Sequence, residues 1–206
     1  MMTLYDFTGS GNGYKVCLLL AQLGLPYKRV ECDIMKGETR TPEFLEKNPN
    51  GRIPTLQLED GTFLAESGAI LWYLAEGTPF APADRMARAQ TLQWMFFEQY
   101  SHEPYIAVVR FWRHFFDKLS PKQETDLPDL IKKGYAALEV MERHLETREF
   151  FVGSRYGLAD IALYGYTHVA HEGDFDLSRY PHIQTWLARV AAEPGHVSID
   201  HKPSGG

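Results

Sequence analysis

Several common functions are excluded by what this sequence lacks. It has two cysteines, Cys17 and Cys32, with no Cys-x-x-Cys and no Cys/His cluster, so neither a disulfide framework nor a structural zinc site is expected. Lys and Arg total 21 against 27 Asp and Glu, and the net charge of −6 provides no basic stripe to displace counterions from a phosphate backbone. Nucleic acid and anionic membranes are therefore not expected partners. No segment runs about eighteen apolar residues without a charge, and MMTLYDF lacks the basic stretch followed by an apolar run that marks a signal peptide. A cytoplasmic protein is expected. Internal repeats and low-complexity segments are missing as well.

What is present is a substantial core: 44% hydrophobic residues over 206 positions suffice for one large domain or two small ones. The chain has two textures. From residue 1 to about 78, short extended runs alternate with short helices: a strand at Thr3 to Phe7, a helix at Gly13 to Leu23 and a second strand at Tyr27 to Cys32. Val16, Leu19, Leu20 and Leu23 supply the helical stripe, and Gly24 with Pro26 supplies the stop. Strand, helix, strand at this spacing implies a right-handed crossover and a parallel pair. Two more short strands, Pro54 to Leu58 and Thr62 to Leu64, flank the Asp60-Gly61 hairpin signal, and a helix opens at Glu66-Ser67. From 85 to 206 only helical windows remain, at 84–117, 123–146, 157–171 and 181–192, with HKPSGG as a frayed tail. TPFAPAD, with Pro79 and Pro82, marks a linker over 79–84. The expected fold class is therefore α/β plus all-α.

Three stretches carry chemistry. GSGNGYK is neither a dinucleotide fingerprint nor a Walker loop. It is either a tight β-to-α turn that needs glycine, or a helix N-terminus where Ser10, Asn12 and free backbone N–H groups meet a ligand anion such as a thiolate. In NPNGRIPTL, the Ile53-Pro54 bond is open to cis or trans; the cis form would turn the Ile53 backbone outward to pair with a peptide. In DGTFLAESGAILWYLAE, Ser67 is either a helix N-cap or, with the free N–H groups, a carboxylate receptor beside an ammonium-binding Glu66.

Taken together and in this order, the serine after the first strand, NPNGRIP, the Glu-Ser helix start and the all-helical second half resemble the soluble glutathione transferases over the whole chain, in a bacterial theta- or nu-like form. The resemblance implies a thioredoxin-like N-terminal domain, a C-terminal helical bundle, a homodimer, glutathione as cosubstrate, no metal, and detoxification of small apolar electrophiles. It also implies roles for individual residues. Ser10 would stabilise the thiolate with help from Asn12, Ile53 would pair with the cysteinyl backbone beside cis-Pro54, and Glu66 with Ser67 would receive the γ-glutamyl group. Thr39 and Gly51 stand where relatives often carry histidine, so the glycyl carboxylate needs another cation: Arg52 first, Lys36 second, Arg40 third. The aromatic stretch Trp94 to Phe116 would then supply an acceptor pocket, expected between the domains, with Tyr100, His102, Tyr105, Arg110 and Trp112 as its wall. Gly157 replaces the usual hydroxyl of a capping box with Asp160, which predicts a cost of a few tenths of a kcal/mol. Cys17, inside an apolar run, is expected to be buried and inert. Two alternatives accompany the conjugation reading: reduction of disulfides or peroxides with glutathione, and a non-catalytic binding or regulatory module on the same fold.

Overall fold

The computed structural model describes residues 1–202, and the first strand shows how its sheet is built. In β1 (Met2–Asp6) the two-residue alternation turns Leu4 and Asp6 to one face, where both are fully buried. Tyr5 faces the opposite way and meets Phe44 of the single-turn α2 (Pro42–Leu45) edge-on, with ring centroids 6.3 Å apart. β1 runs parallel to β2 (Tyr27–Glu31) and antiparallel to β3 (Thr55–Gln57), which in turn pairs antiparallel with β4 (Phe63–Ala65). The sheet order is β2-β1-β3-β4, with α1 (Gly11–Gln22) as the crossover between the parallel strands.

α1 is more deeply enclosed than a one-sided stripe suggests. Val16, Leu18, Leu19 and Leu20 all have zero exposure. α3 (Ser67–Ala75) packs against it through an apolar side that includes the fully buried Ile70 and Leu71. Each such side chain contributes about 1.5–3 kcal/mol by leaving water. The chain from Pro194 encloses α1 further. The Tyr14 hydroxyl donates to the Val197 carbonyl at 2.8 Å and lies 3.2 Å from His196 Nε2, and Arg29 Nη1 donates to the His201 carbonyl at 3.1 Å.

These contacts redraw the expected domain borders. The first unit is Met1–Thr78 together with the segment from Pro194, and the second is Pro79–Glu193, so the helical unit does not run to the C-terminus. The frayed-tail expectation fails at His201, whose carbonyl accepts from Arg29, and its last part, 203–206, lies outside the described residues. The linker is also less free than its prolines suggest, since the Phe80 ring packs edge-on to Tyr156 at 6.0 Å within the helical unit.

In that unit the single window expected at 84–117 is broken into α4 (Arg85–Phe97), a π turn over Glu98–His102 and α5 (Glu103–Phe115). Pro104, lacking an N–H, cannot continue the ordinary helical ladder, and the wider turn absorbs the interruption. α6 (Pro121–Leu145) begins earlier than its apolar pattern, because Ser120 and Gln123 form a reciprocal capping box. α7 (Leu158–Thr167) and α8 (Pro181–Ala191) complete the unit. Asp160 in α7 is buried. It accepts from the Gly157 N–H at 3.1 Å, the Phe151 N–H at 3.1 Å and the Trp186 indole at 2.9 Å. Gly157 has a packing reason that the sequence could not display: a Cβ there would stand 3.2 Å from the Phe80 carbonyl oxygen.

Candidate functional site

At the start of α1, Ser10 is the N-cap. Its Oγ accepts from the Gly13 N–H at 3.3 Å, and its own N–H donates to the Phe7 carbonyl at 3.0 Å. A hydroxyl carries one proton and two lone pairs, so capping uses a lone pair and leaves the O–H to donate elsewhere. Ser10 is half-buried, and the α1 terminus adds its partial positive charge at the same place. Gly13 is obligatory, since a Cβ there would stand 1.7 Å from Asp6 Oδ1. The carboxyl of Asp6 thus lies directly beneath the first turn. Burial pushes its pKa up to about 7, opposed by the Arg29 guanidinium at 2.7 Å.

The next contact joins two distant stretches of sequence. Asn12 Oδ1 accepts from Lys15 Nζ at 2.7 Å and from Ser67 Oγ at 3.3 Å. Ser67 is therefore not the N-cap of α3; Glu66 takes that position, with φ 67° and ψ 115° and no side-chain capping bond. A non-glycine residue in this region costs on the order of 1–3 kcal/mol, and such strain concentrates at binding sites. The Glu66 carboxylate stays exposed, 3.5 Å from Asn50 Nδ2.

The third stretch forms the approach to β3. The Ile53-Pro54 peptide bond is cis. Asn48 holds the loop in place: its buried amide donates to the Arg52 carbonyl at 2.8 Å and the Thr55 hydroxyl at 3.2 Å, and it accepts from the Asn50 N–H at 3.0 Å. Among the described residues no backbone hydrogen bond engages Ile53, whose side chain is half-buried. The three cations named for a carboxylate differ. Lys36 is paired with Asp33 at 2.8 Å, Arg40 donates to the Asn50 carbonyl at 2.9 Å, and the exposed Arg52 guanidinium has no acidic partner among the described residues.

The residues expected to wall an acceptor pocket separate into two kinds within the helical unit. Tyr100 is 82% exposed, and Tyr105 and Trp112 are partly exposed. By contrast, His102 is drawn inward by the π turn and lies 2.9 Å from Thr167 Oγ1, while the buried Arg110 donates through Nε to Glu172 at 2.7 Å. The last two are interior polar pairs, so they do not fit the expected wall. Cys17 is buried, and its thiol is pushed by burial to a pKa of about 11, far from a neutral-pH nucleophile.

Two polar residues in the site were not assigned from sequence. Asn48 was visible only as a loop asparagine. Lys15, 1% exposed, is a charged residue inside the apolar run of α1 and three positions beyond Asn12, a spacing that places both on one face.

Comparison with known proteins fits this geometry. The profile of the glutathione S-transferase N-terminal domain matches residues 1–76, and that of the C-terminal domain matches residues 89–194. A glutathione S-transferase crystal structure from Pseudomonas fluorescens is 54% identical over 96% of this chain and 98% of its own, with a TM-score of 0.93. A Burkholderia graminis glutathione transferase, crystallised with two glutathione molecules per subunit, is 30% identical over 100% of this chain and 89% of its own, with a TM-score of 0.85. The disulfide-bond oxidoreductase YfcG of Escherichia coli is 32% identical over 94% of this chain and 92% of its own length. With a thioredoxin-like sheet unit followed by a helical unit, and with both family profiles matched in order, this chain belongs to the glutathione S-transferase family.

Proposed function

We propose that the protein binds glutathione as its thiolate and transfers it to apolar electrophiles. The observation that carries this reading is Ser10: a hydroxyl whose cap bond leaves its proton free to donate, fixed at a helix N-terminus. The tripeptide's cysteinyl backbone pairs with Ile53, its γ-glutamyl carboxylate meets Ser67 and the α3 terminus, its ammonium meets Glu66, and its glycyl carboxylate meets Arg52. The strained Glu66 backbone and the Asn48-braced loop support these assignments.

A free thiol has a pKa of about 8.5, so only a few per cent is ionised at neutral pH. Lowering it by about two units needs about 2.7 kcal/mol of preference for the anion. One charge-assisted hydroxyl bond supplies about 1.5–3 kcal/mol, and the helix terminus adds to it. The thiol proton leaves to water. The sulfur lone pair then forms a bond to the electrophilic carbon, and the leaving group departs with its bonding electrons. The exposed Tyr100 and the partly exposed Tyr105 and Trp112 are the aromatic candidates for holding the acceptor. A homodimer accompanies this reading, supported by Met86 and Phe96 of α4, which are 65% and 68% exposed in the single chain.

A second reading has its own support. Asn12 is held beside Ser67, and the relative YfcG is a disulfide-bond oxidoreductase. Here the same thiolate attacks the glutathionyl sulfur of a glutathione mixed disulfide, the old S–S bond breaks, and oxidised glutathione forms while the other sulfur leaves with the bonding electrons as a thiolate that takes a proton from water. Conjugation of an activated aryl halide, run beside reduction of a glutathione mixed disulfide and of a hydroperoxide, separates the two. Turnover of the halide with a thiolate-like pH profile is expected. Disulfide reduction without conjugation overturns the first reading in favour of the second. Failure to be retained on a glutathione resin sinks both.

A further inference from the structure

We infer that Lys15 is a positioning residue that fixes the Asn12 amide with its N–H2 end toward the glutathione sulfur. The inference rests on the glutathione reading above and adds a residue to it. An asparagine amide can present either its oxygen or its nitrogen to a neighbour, and the choice follows from the neighbour's chemistry. An ammonium has only donors, so only Oδ1 can face Lys15, and Oδ1 does so at 2.7 Å. Ser67 Oγ donates to the same oxygen at 3.3 Å. With both donors on Oδ1, the nitrogen end is turned away from the Lys15 and Ser67 side. Asn12 is two residues beyond Ser10 in the first turn of α1, and it is half-buried. Its N–H donors thus belong to the same first turn that Ser10 caps.

Burial makes the orientation firm. Lys15 is 1% exposed and Ser67 is 5% exposed, so flipping the amide would bring N–H2 against an ammonium away from water. Asp6, whose carboxyl lies where a Gly13 Cβ would stand, pairs instead with Arg29 on β2. The same amide oxygen links the two ends of the proposed ligand site. Ser67 gives its one hydroxyl proton to Asn12, so it meets the γ-glutamyl carboxylate through its backbone N–H at the α3 terminus.

The test reads the pKa of glutathione bound to the full chain, from thiolate ultraviolet absorbance against pH, in Lys15→Met, Asn12→Ala and the double variant. Lys15→Met is expected to raise the bound thiol's pKa by about one unit and to lower kcat at neutral pH by severalfold, with KM changed less than about threefold. In the Asn12→Ala background, Lys15→Met is expected to add no further shift. An unmoved pKa in Lys15→Met overturns the inference. So does an equal shift in both backgrounds, which would mean that the lysine acts by its charge alone. Should Lys15→Met not fold, Asn12→Asp decides: it keeps a partner for the ammonium but replaces N–H donors with a carboxylate oxygen. The bound thiol should then titrate above its free value of about 8.5, and a pKa at or below the wild-type one refutes the orientation. If the wild-type protein itself leaves bound glutathione at the free-solution pKa, the parent reading fails and takes this inference with it. A lowered wild-type thiol with unmoved variants refutes the inference alone.

Discussion

Ser10 has two jobs in this structure, and two substitutions separate them. As N-cap it accepts from the Gly13 N–H at 3.3 Å; as a donor it offers its proton to a thiolate. Ser10→Ala removes both. Ser10→Gly removes the hydroxyl but retains most of the capping preference, since glycine at an N-cap costs only a few tenths of a kcal/mol relative to serine, against about 1 kcal/mol for alanine. The 3.3 Å cap is long, so the alanine cost belongs at the lower end of that range. The chemical loss should be the same in both variants. A charge-assisted bond of about 1.5–3 kcal/mol, divided by about 1.36 kcal/mol per pKa unit, gives a rise of about 1–2 units in the bound thiol.

At pH 7, a thiol returned from about 6.5 to about 8.5 drops from about three-quarters ionised to a few per cent, so kcat should fall about 25-fold; above about pH 9 the deficit should shrink as both proteins ionise fully. Glutathione affinity should barely change, because Ile53, Glu66, Ser67 and Arg52 are untouched. The assays are the absorbance titration of the bound thiolate, turnover against pH, and urea unfolding. Three results would refute the reasoning. One is a thiol pKa within a few tenths of wild type. Another is a kcat deficit that persists undiminished at high pH. The third is a Ser10→Gly variant that keeps activity while Ser10→Ala loses it, which would make the cap, not the proton, the functional feature.

Asp160→Ala orphans the Gly157 and Phe151 N–H groups and the Trp186 indole together, and at about 1–3 kcal/mol for each unsatisfied donor it should cost about 3–5 kcal/mol; a urea midpoint lowered by less than about 1 kcal/mol worth of stability would refute the network's role. Asp6 keeps its proton to about pH 7 in the folded chain against a reference of 3.8, so its contribution to stability is fully present below about pH 4 and lost as pH rises to about 7. Relative to Asp6→Asn, wild type should therefore lose ground across that window, and a flat or reversed gap in urea titrations would exclude it. Arg52→Ala should weaken glutathione binding about tenfold by calorimetry, while Lys36→Ala, whose ammonium is already paired with Asp33, should change it less than about twofold; the opposite order would transfer the glycyl carboxylate to Lys36.

The fold was legible where one residue pattern had one physical meaning. The β1-α1-β2 crossover followed from a strand, an apolar helix and a strand at short spacing, and the Asp60-Gly61 turn marked the β3-β4 hairpin. Departures came from partners distant in the chain. The return of residues from Pro194 onto α1 depends on the Tyr14 hydroxyl finding the Val197 carbonyl, across 183 positions. The π turn at Glu98–His102 was hidden because Pro104 sits inside a continuous aromatic helical pattern, and a single missing N–H does not disturb periodicity.

The site was legible as residue types at helix starts and before a proline, because a hydroxyl at an N-terminus or an X-Pro bond carries local meaning. Burial and pairing do not. His102 and Arg110 looked like polar anchors in an aromatic stretch, yet each is satisfied inside the helical unit by a side chain more than sixty positions away. Lys15 was obscure for the opposite reason. A lysine among apolar residues reads as a solvated edge of the helix, whereas here α1 is enclosed by the sheet, α3 and the returning chain, so even its polar face is interior. A charge can remain there only with partners, and Asn12, whose oxygen also takes the Ser67 hydroxyl, is one of them. Enclosing the first helix is therefore what turns an ordinary i, i+3 lysine into a device for orienting an amide, and the polar site beside Ser10 depends on the packing of α1 as much as on Ser10 itself.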